Sequence, residues 1–138
     1  MKNSANRNER KYLLPRSRIL RGRDSVRRLF RSGRALRERH MDLRYVLLPG
    51  HEGMCLAGFI AGKRLGKAHE RNLIKRRMRE AYRQHQHLVR DIAESGPIGF
   101  QGIFIAKKAG VPYPMIEQDC IRLLTAVQQK MKEESAAS

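Results

Sequence analysis

Gly66-Lys-Ala-His-Glu-Arg-Asn-Leu-Ile-Lys-Arg-Arg-Met-Arg-Glu80 is the stretch on which the reading of this chain turns. Setting Arg71 at zero on a helical wheel of about 100° per residue puts Tyr82, Lys75, Arg79, Asn72, Arg83 and Arg76, in that order, within roughly the next 140°. Ile74, Met78, Ala81 and Leu88 gather instead at roughly 260° to 340°. A helix from Ala68 to about Val89 therefore buries one side on a sheet and displays five cations and an amide beside it. Like charges four residues apart repel by about 0.2–0.5 kcal/mol per pair. Few acidic residues relieve them, unlike on an ordinary solvated face, and a polyphosphate reverses the sign of that repulsion. Arg gives forked contacts to phosphate, Lys a point charge, and Asn72 both donates and accepts at a base edge or 2′-hydroxyl.

Outward from this helix the elements alternate. Asp24 or Ser25 caps a short helix burying Val26, Leu29 and Phe30, with Gly33 ending it. After a basic stretch, Met41 to Leu48 reads as a strand that Pro49-Gly50 turns back, and Met54 to Ala61 reads as a second, more buried strand. Ser95-Gly96-Pro97 closes the helical region, and Gly102 to Ala106 is a further strand. Val111-Pro112-Tyr113-Pro114 reads as a turn. From Met115 to about Met131, Ile116, Cys120, Leu123, Leu124 and Val127 recur at helical spacing. The expected domain covers 21–132, preceded by a basic, flexible arm over 1–20, whose Ile19 and Leu20 can pack onto it. A tail over 133–138 is expected to fray.

The 138 residues suit one domain. Thirty Lys and Arg against 13 Asp and Glu give +17, a self-repulsion that a polyanion relieves. The charge is uneven. Residues 1–23 hold +7, residues 24–62 add +3 and residues 63–83 add +7, whereas residues 84–138 carry six of each sign. Nucleic-acid contact is thus expected before residue 84. The longest weakly polar run, Met54 to Gly62, is too short to span a bilayer, so no membrane partner is expected, and the N-terminus lacks the apolar stretch of a signal peptide, which makes cytoplasm the default.

Catalytic patterns are missing. Gly62-Lys-Arg-Leu-Gly66-Lys67 fails as a phosphate loop because Ala61 and Ala68 stand where Gly and Ser or Thr are required. His51-Glu52 continues Gly-Met-Cys rather than as a zinc helix. His85 and His87 point to different faces of a helix, and Cys55 and Cys120 read as buried free thiols. No catalytic side chain and no protein-bound metal are expected.

Arg71-Asn72-x-x-Lys75-Arg76-x-x-Arg79 resembles the motif of the protein component of bacterial ribonuclease P. Asp24-Ser-Val-Arg-Arg-Leu-Phe-Arg-Ser-Gly33, Gly58-Phe-Ile-Ala-Gly-Lys-Arg64 and Phe104-Ile-Ala-Lys-Lys108 resemble that family in the same order, from about residue 20 to 130. The resemblance implies an α+β fold: a two-layer α/β sandwich with a small mixed sheet of about four strands and the basic motif helix in a left-handed crossover. It also implies that Arg71, Asn72, Lys75, Arg76 and Arg79, with Lys63, Arg64 and Lys67 before them, bind the catalytic ribonuclease P RNA. Phe30, Tyr45 and Val26 are implied for a cleft receiving the 5′ leader of precursor tRNA. Val26 replaces an aromatic of many family members, and Leu73 replaces a basic residue. Mg²⁺ is expected with the RNA subunit and substrate, and the protein is expected to be monomeric within the ribonucleoprotein. A structural RNA-binding module such as a ribosomal protein is the competing reading, and a stand-alone nuclease a more distant one because no acidic metal cluster is visible.

Overall fold

The computed structural model describes residues 13–137. Strands β1 (Arg34–Arg37), β2 (Met41–Pro49), β3 (Cys55–Ile60) and β4 (Ile98–Ala106) form one sheet in the order β1-β2-β4-β3. The β1–β2 and β2–β4 pairs are antiparallel and β3–β4 is parallel, so the sheet is mixed. The helices are α1 (Arg23–Ser32), α2 (Ala68–His85), α3 (His87–Ser95) and α4 (Tyr113–Ala137). Parallel β3 and β4 cannot be joined by a hairpin, and α2 and α3 make the crossover between them.

Side-chain alternation along β2 sorts the two faces. Met41, Leu43 and Tyr45 enter the main core with Ile74, Met78, Ala81 and Tyr82 of α2 and Ile116, Cys120, Leu124 and Val127 of α4. Phe59, Phe104 and Tyr82 form its aromatic centre, with ring centroids 5.6 to 6.0 Å apart. On the opposite face Leu20, Leu29 and Ile103 form a smaller cluster with Val26, Val46, Leu56, Ile60 and Ile105. The short α1 covers only part of that face.

Several elements differ from the expected boundaries. The helix expected to run from Ala68 to about Val89 breaks at Gln86, whose buried amide donates to the carbonyls of Leu13 and Arg83, both at 3.0 Å. β1 was expected only as a basic stretch. Its Arg34 and Arg37 are exposed on an edge strand, where charge is tolerated and the apolar signal is weak. β4 begins at Ile98 rather than Gly102. Gly99 and Gly102 interrupt the apolar pattern, yet a Cβ on Gly99 would lie 2.6 Å from the His51 carbonyl oxygen.

The last helix starts at Tyr113, inside the expected turn, because Pro114 is tolerated in a first turn. It continues to Ala137, into the tail expected to fray, where Arg34 pairs with Glu134 at 2.6 Å and links the helix end to β1. α1 starts at Arg23, after Gly22 at φ 94°, instead of being capped by Asp24 or Ser25. Near the N-terminus, Leu14 packs on the main core, Leu20 is buried, and the Leu20 amide donates to Ala57 O at 2.8 Å. Residues 13–20 thus lie on the domain rather than free of it, and the rest of the expected arm, residues 1–12, falls outside the described residues. Cys55 and Cys120 are buried free thiols, as expected. Burial pushes both thiols upward in pKa, which keeps them protonated.

Candidate nucleic-acid interface

The approach to α2 is built on a backbone that only glycine accepts readily. A single 3-10 turn over Lys63–Leu65 ends at Gly66, whose φ of 143° lies in the region L side chains avoid. The Lys67 amide then donates to the Glu70 carboxylate at 3.1 Å, satisfying one of the free N–H groups that open a helix. This turn leaves Lys63, Arg64 and Lys67 exposed just before the helix.

On α2 the buried and exposed arcs are sharply divided. Ile74, Met78 and Ala81 are buried as expected, while Asn72, Arg76 and Arg79 are exposed and Lys75 is half-buried. Two positions differ from the wheel. Tyr82, expected among the cations, is core, with its hydroxyl 3.3 Å from the Cys55 sulfur, and burial pushes its pKa well up. Arg71 beside it is half-buried, and its Nε is shut from solvent with no partner among the described residues. The exposed ridge is therefore centred on Asn72, Arg76 and Arg79, with Arg71 at its edge. Among the described residues no carboxylate pairs with Lys63, Arg64, Lys67, Arg71, Lys75, Arg76 or Arg79.

The neighbouring arginines differ. Arg77 donates to the Val111 carbonyl at 2.7 Å, and Arg83 pairs with Glu80 at 2.6 Å. The Arg83 guanidinium, helped by the Gln84 amide, holds the Glu80 carboxyl down to about 2. A carboxylate lowered from its ordinary 4.5 contributes stability that is present above about 4.5 and is lost as pH falls towards 2. With the side chain 44 % exposed, solvent limits the contribution to below about 1 kcal/mol. Urea midpoints of the protein and its Glu80→Gln variant should differ slightly at pH 6 and converge near pH 2.5; a gap that widens in acid would contradict this.

The cleft residues are separated by the sheet. Val26 is on α1 and faces the smaller cluster, whereas Phe30 is 43 % exposed near the other end of the helix. Tyr45 is a correction. It is 2 % exposed on the opposite face of the sheet, its ring 6.3 Å from Phe100, and it offers nothing to a ligand under α1. Met41, Leu43 and Tyr45 share one parity in the strand, so the alternation of Met41-Asp-Leu-Arg-Tyr45 carried this signal.

The residue that does face α1 is Arg44, which sequence reasoning passed over. Its guanidinium lies 5.7 Å from the Phe30 ring centroid and donates to the Phe30 carbonyl at 3.4 Å. A cleft of about 510 Å³ opens where the N-terminal half of α1 meets β3, with Arg21, Arg23 and Arg27 at its mouth. Arg21 also borders a groove that runs beside Arg16 to Arg79 on α2. The cationic ridge and the cleft thus meet along the N-terminal segment.

Among the described residues, no group of three or more His, Cys, Asp or Glu is placed to hold a metal ion, and no helix is long and apolar enough to cross a membrane.

A family model described as Ribonuclease P matches residues 14–128. A ribonuclease P protein component from Desulfovibrio desulfuricans is 30 % identical over 132 residues, covering 92 % of this chain and 95 % of the relative. One from Chloroflexus aggregans is 34 % identical over 112 residues, covering 79 % of this chain and 76 % of the relative. Among solved structures, the RNase P protein of Staphylococcus aureus superposes with a TM-score of 0.65 at 19 % identity, covering 80 % of this chain and 94 % of that one. That of Thermotoga maritima gives 0.63 at 22 %, covering 78 % and 94 %. These structural matches establish a shared α+β fold.

Proposed function

This chain belongs to the ribonuclease P protein family, and from that premise we propose that it binds a catalytic RNA and the 5′ leader of precursor tRNA, promoting endonucleolytic removal of the leader. The observation that carries this reading is the juxtaposition of two surfaces: a cationic ridge on α2 whose Arg76 and Arg79 have no carboxylate partner among the described residues, and a cation-rimmed cleft under α1, joined along residues 16–21. The ridge fits the phosphates of a folded RNA. The cleft, open on one side and only partly roofed, fits a single strand rather than a duplex.

In this reading Asn72, Lys75, Arg76 and Arg79 form the contact with the RNA subunit, extended by Arg71, Lys63, Arg64 and Lys67. Each neutralised phosphate releases counterions, so affinity falls steeply with salt. The side chains of this chain bind, orient and screen charge. Mg²⁺ held by the RNA and substrate would supply the activated water and stabilise the leaving oxygen. In this reading the cleavage chemistry belongs to the RNA.

Reconstitution provides the test. The chain combined with a bacterial ribonuclease P RNA at low Mg²⁺ should restore 5′ leader removal from precursor tRNA, and the protein alone should not cleave at that site. Absence of stimulation, or correct cleavage by protein without RNA, would contradict the assignment. A protein that serves only as a structural module of another ribonucleoprotein would give no leader removal.

A further inference from the structure

We propose that this chain holds the leader chiefly through its phosphates, by a row of arginines, rather than by stacking on its bases. The proposal rests on the leader-cleft reading above and specifies its chemistry.

Stacking needs an exposed aromatic face, and the cleft offers none. The one aromatic residue along its lining, Phe59, turns its ring to the other side of the sheet, stacked on Phe104 at 5.8 Å and 10°. Val26 lines the helical wall, and Gly58, Ile60 and Ile103 form the floor. Beyond the cleft, Phe30 is 43 % exposed but carries the Arg44 guanidinium 5.7 Å from its ring centroid, and Tyr45 is sealed in the core.

Cations are abundant along the same path. Arg23, Arg27 and Arg31 follow one another at four-residue spacing, so they stand roughly 6 Å apart in a row along α1. Arg21 flanks one end of the cleft, and Arg44 lies beside α1 near Phe30. α1 carries a single acid, Asp24, and among the described residues none of Arg23, Arg27 and Arg31 makes an ion pair. Guanidinium groups in a row, over an apolar floor too narrow in chemistry to read base edges, match a repeating anion and leave base identity unread.

The test compares binding of three precursors of one tRNA to the reconstituted holoenzyme. One carries an unmodified leader, one a leader abasic at the positions nearest the cleavage site, and one methylphosphonate linkages at those positions. The abasic leader should bind within about twofold of the unmodified one, because a lost stack would cost roughly 5- to 150-fold per base. The uncharged leader should lose about tenfold or more, and its loss should shrink as salt is raised. In the Arg23→Ala/Arg27→Ala variant the charged and uncharged leaders should become nearly equal, with mature tRNA binding unchanged.

A loss above fivefold with the abasic leader overturns the proposal, whatever the uncharged leader does. Equal binding of all three overturns it too, while continued cleavage would leave the proposed function standing. If the unmodified precursor is neither bound nor cleaved, both readings fall together.

Discussion

Replacing Lys75, Arg76 and Arg79 together by Ala should lower affinity for the ribonuclease P RNA by about a hundredfold at moderate salt. Arg76 and Arg79 are exposed and Lys75 is half-buried beside them on α2, and none of the three pairs with a carboxylate among the described residues. A charge-assisted phosphate contact, after screening, is worth about 1 kcal/mol, and three together give about 3 kcal/mol. The slope of log affinity against log salt should fall by about three units. Stability should hold or rise slightly, because Ala is the best helix former and three mutually repelling charges are gone. Arg71 is excluded from the set because it packs at the edge of the core, where truncation would mix lost binding with lost packing. Filter binding across a salt series and thermal melting of the same variant separate the two effects; an unchanged salt slope would remove α2 as the RNA-facing helix.

The second large effect concerns neighbouring residues on β2. Tyr45→Ala should destabilise the fold by about 3–5 kcal/mol, since it empties a space in the main core beside Phe100. Arg44→Ala should cost less than about 1 kcal/mol in stability, because the guanidinium makes only a long hydrogen bond and a ring contact at the surface. The order reverses for leader binding: Arg44→Ala weakens it and, where folded, Tyr45→Phe leaves it unchanged. Urea unfolding and leader-dependent binding of these variants check both halves. A stable Tyr45→Ala protein with a selective leader defect would return that side chain to the cleft.

This contrast shows where a sequence stops being legible. The family resemblance implies Tyr45 for the leader cleft by its position in the chain. Strand parity places it with Met41 and Leu43 instead, and a shift of one residue moves a side chain across the whole sheet. The same limit applies to Tyr82, whose wheel angle lies between Arg71 and Lys75, at the margin where only the packed neighbours decide exposure. β1 was hidden by its charge and the start of β4 by its glycines, since both depend on partners distant in the chain.

Beside the resemblance that the ordered motifs carry, local chemistry by itself determined that α2 is an amphipathic helix with a cationic face and that the chain holds a large positive excess. Those properties follow from side-chain period and charge, which neighbours in sequence already specify. Only the tertiary structure decided that Arg44 rather than Tyr45 faces α1, that residues 13–20 seat on the domain beside Arg79, and that the C-terminal helix runs to Ala137 with Arg34 and Glu134 linking its end to β1. Each depends on which surfaces meet after the strands pair, and a long-range contact fixes side-chain exposure that no local pattern encodes.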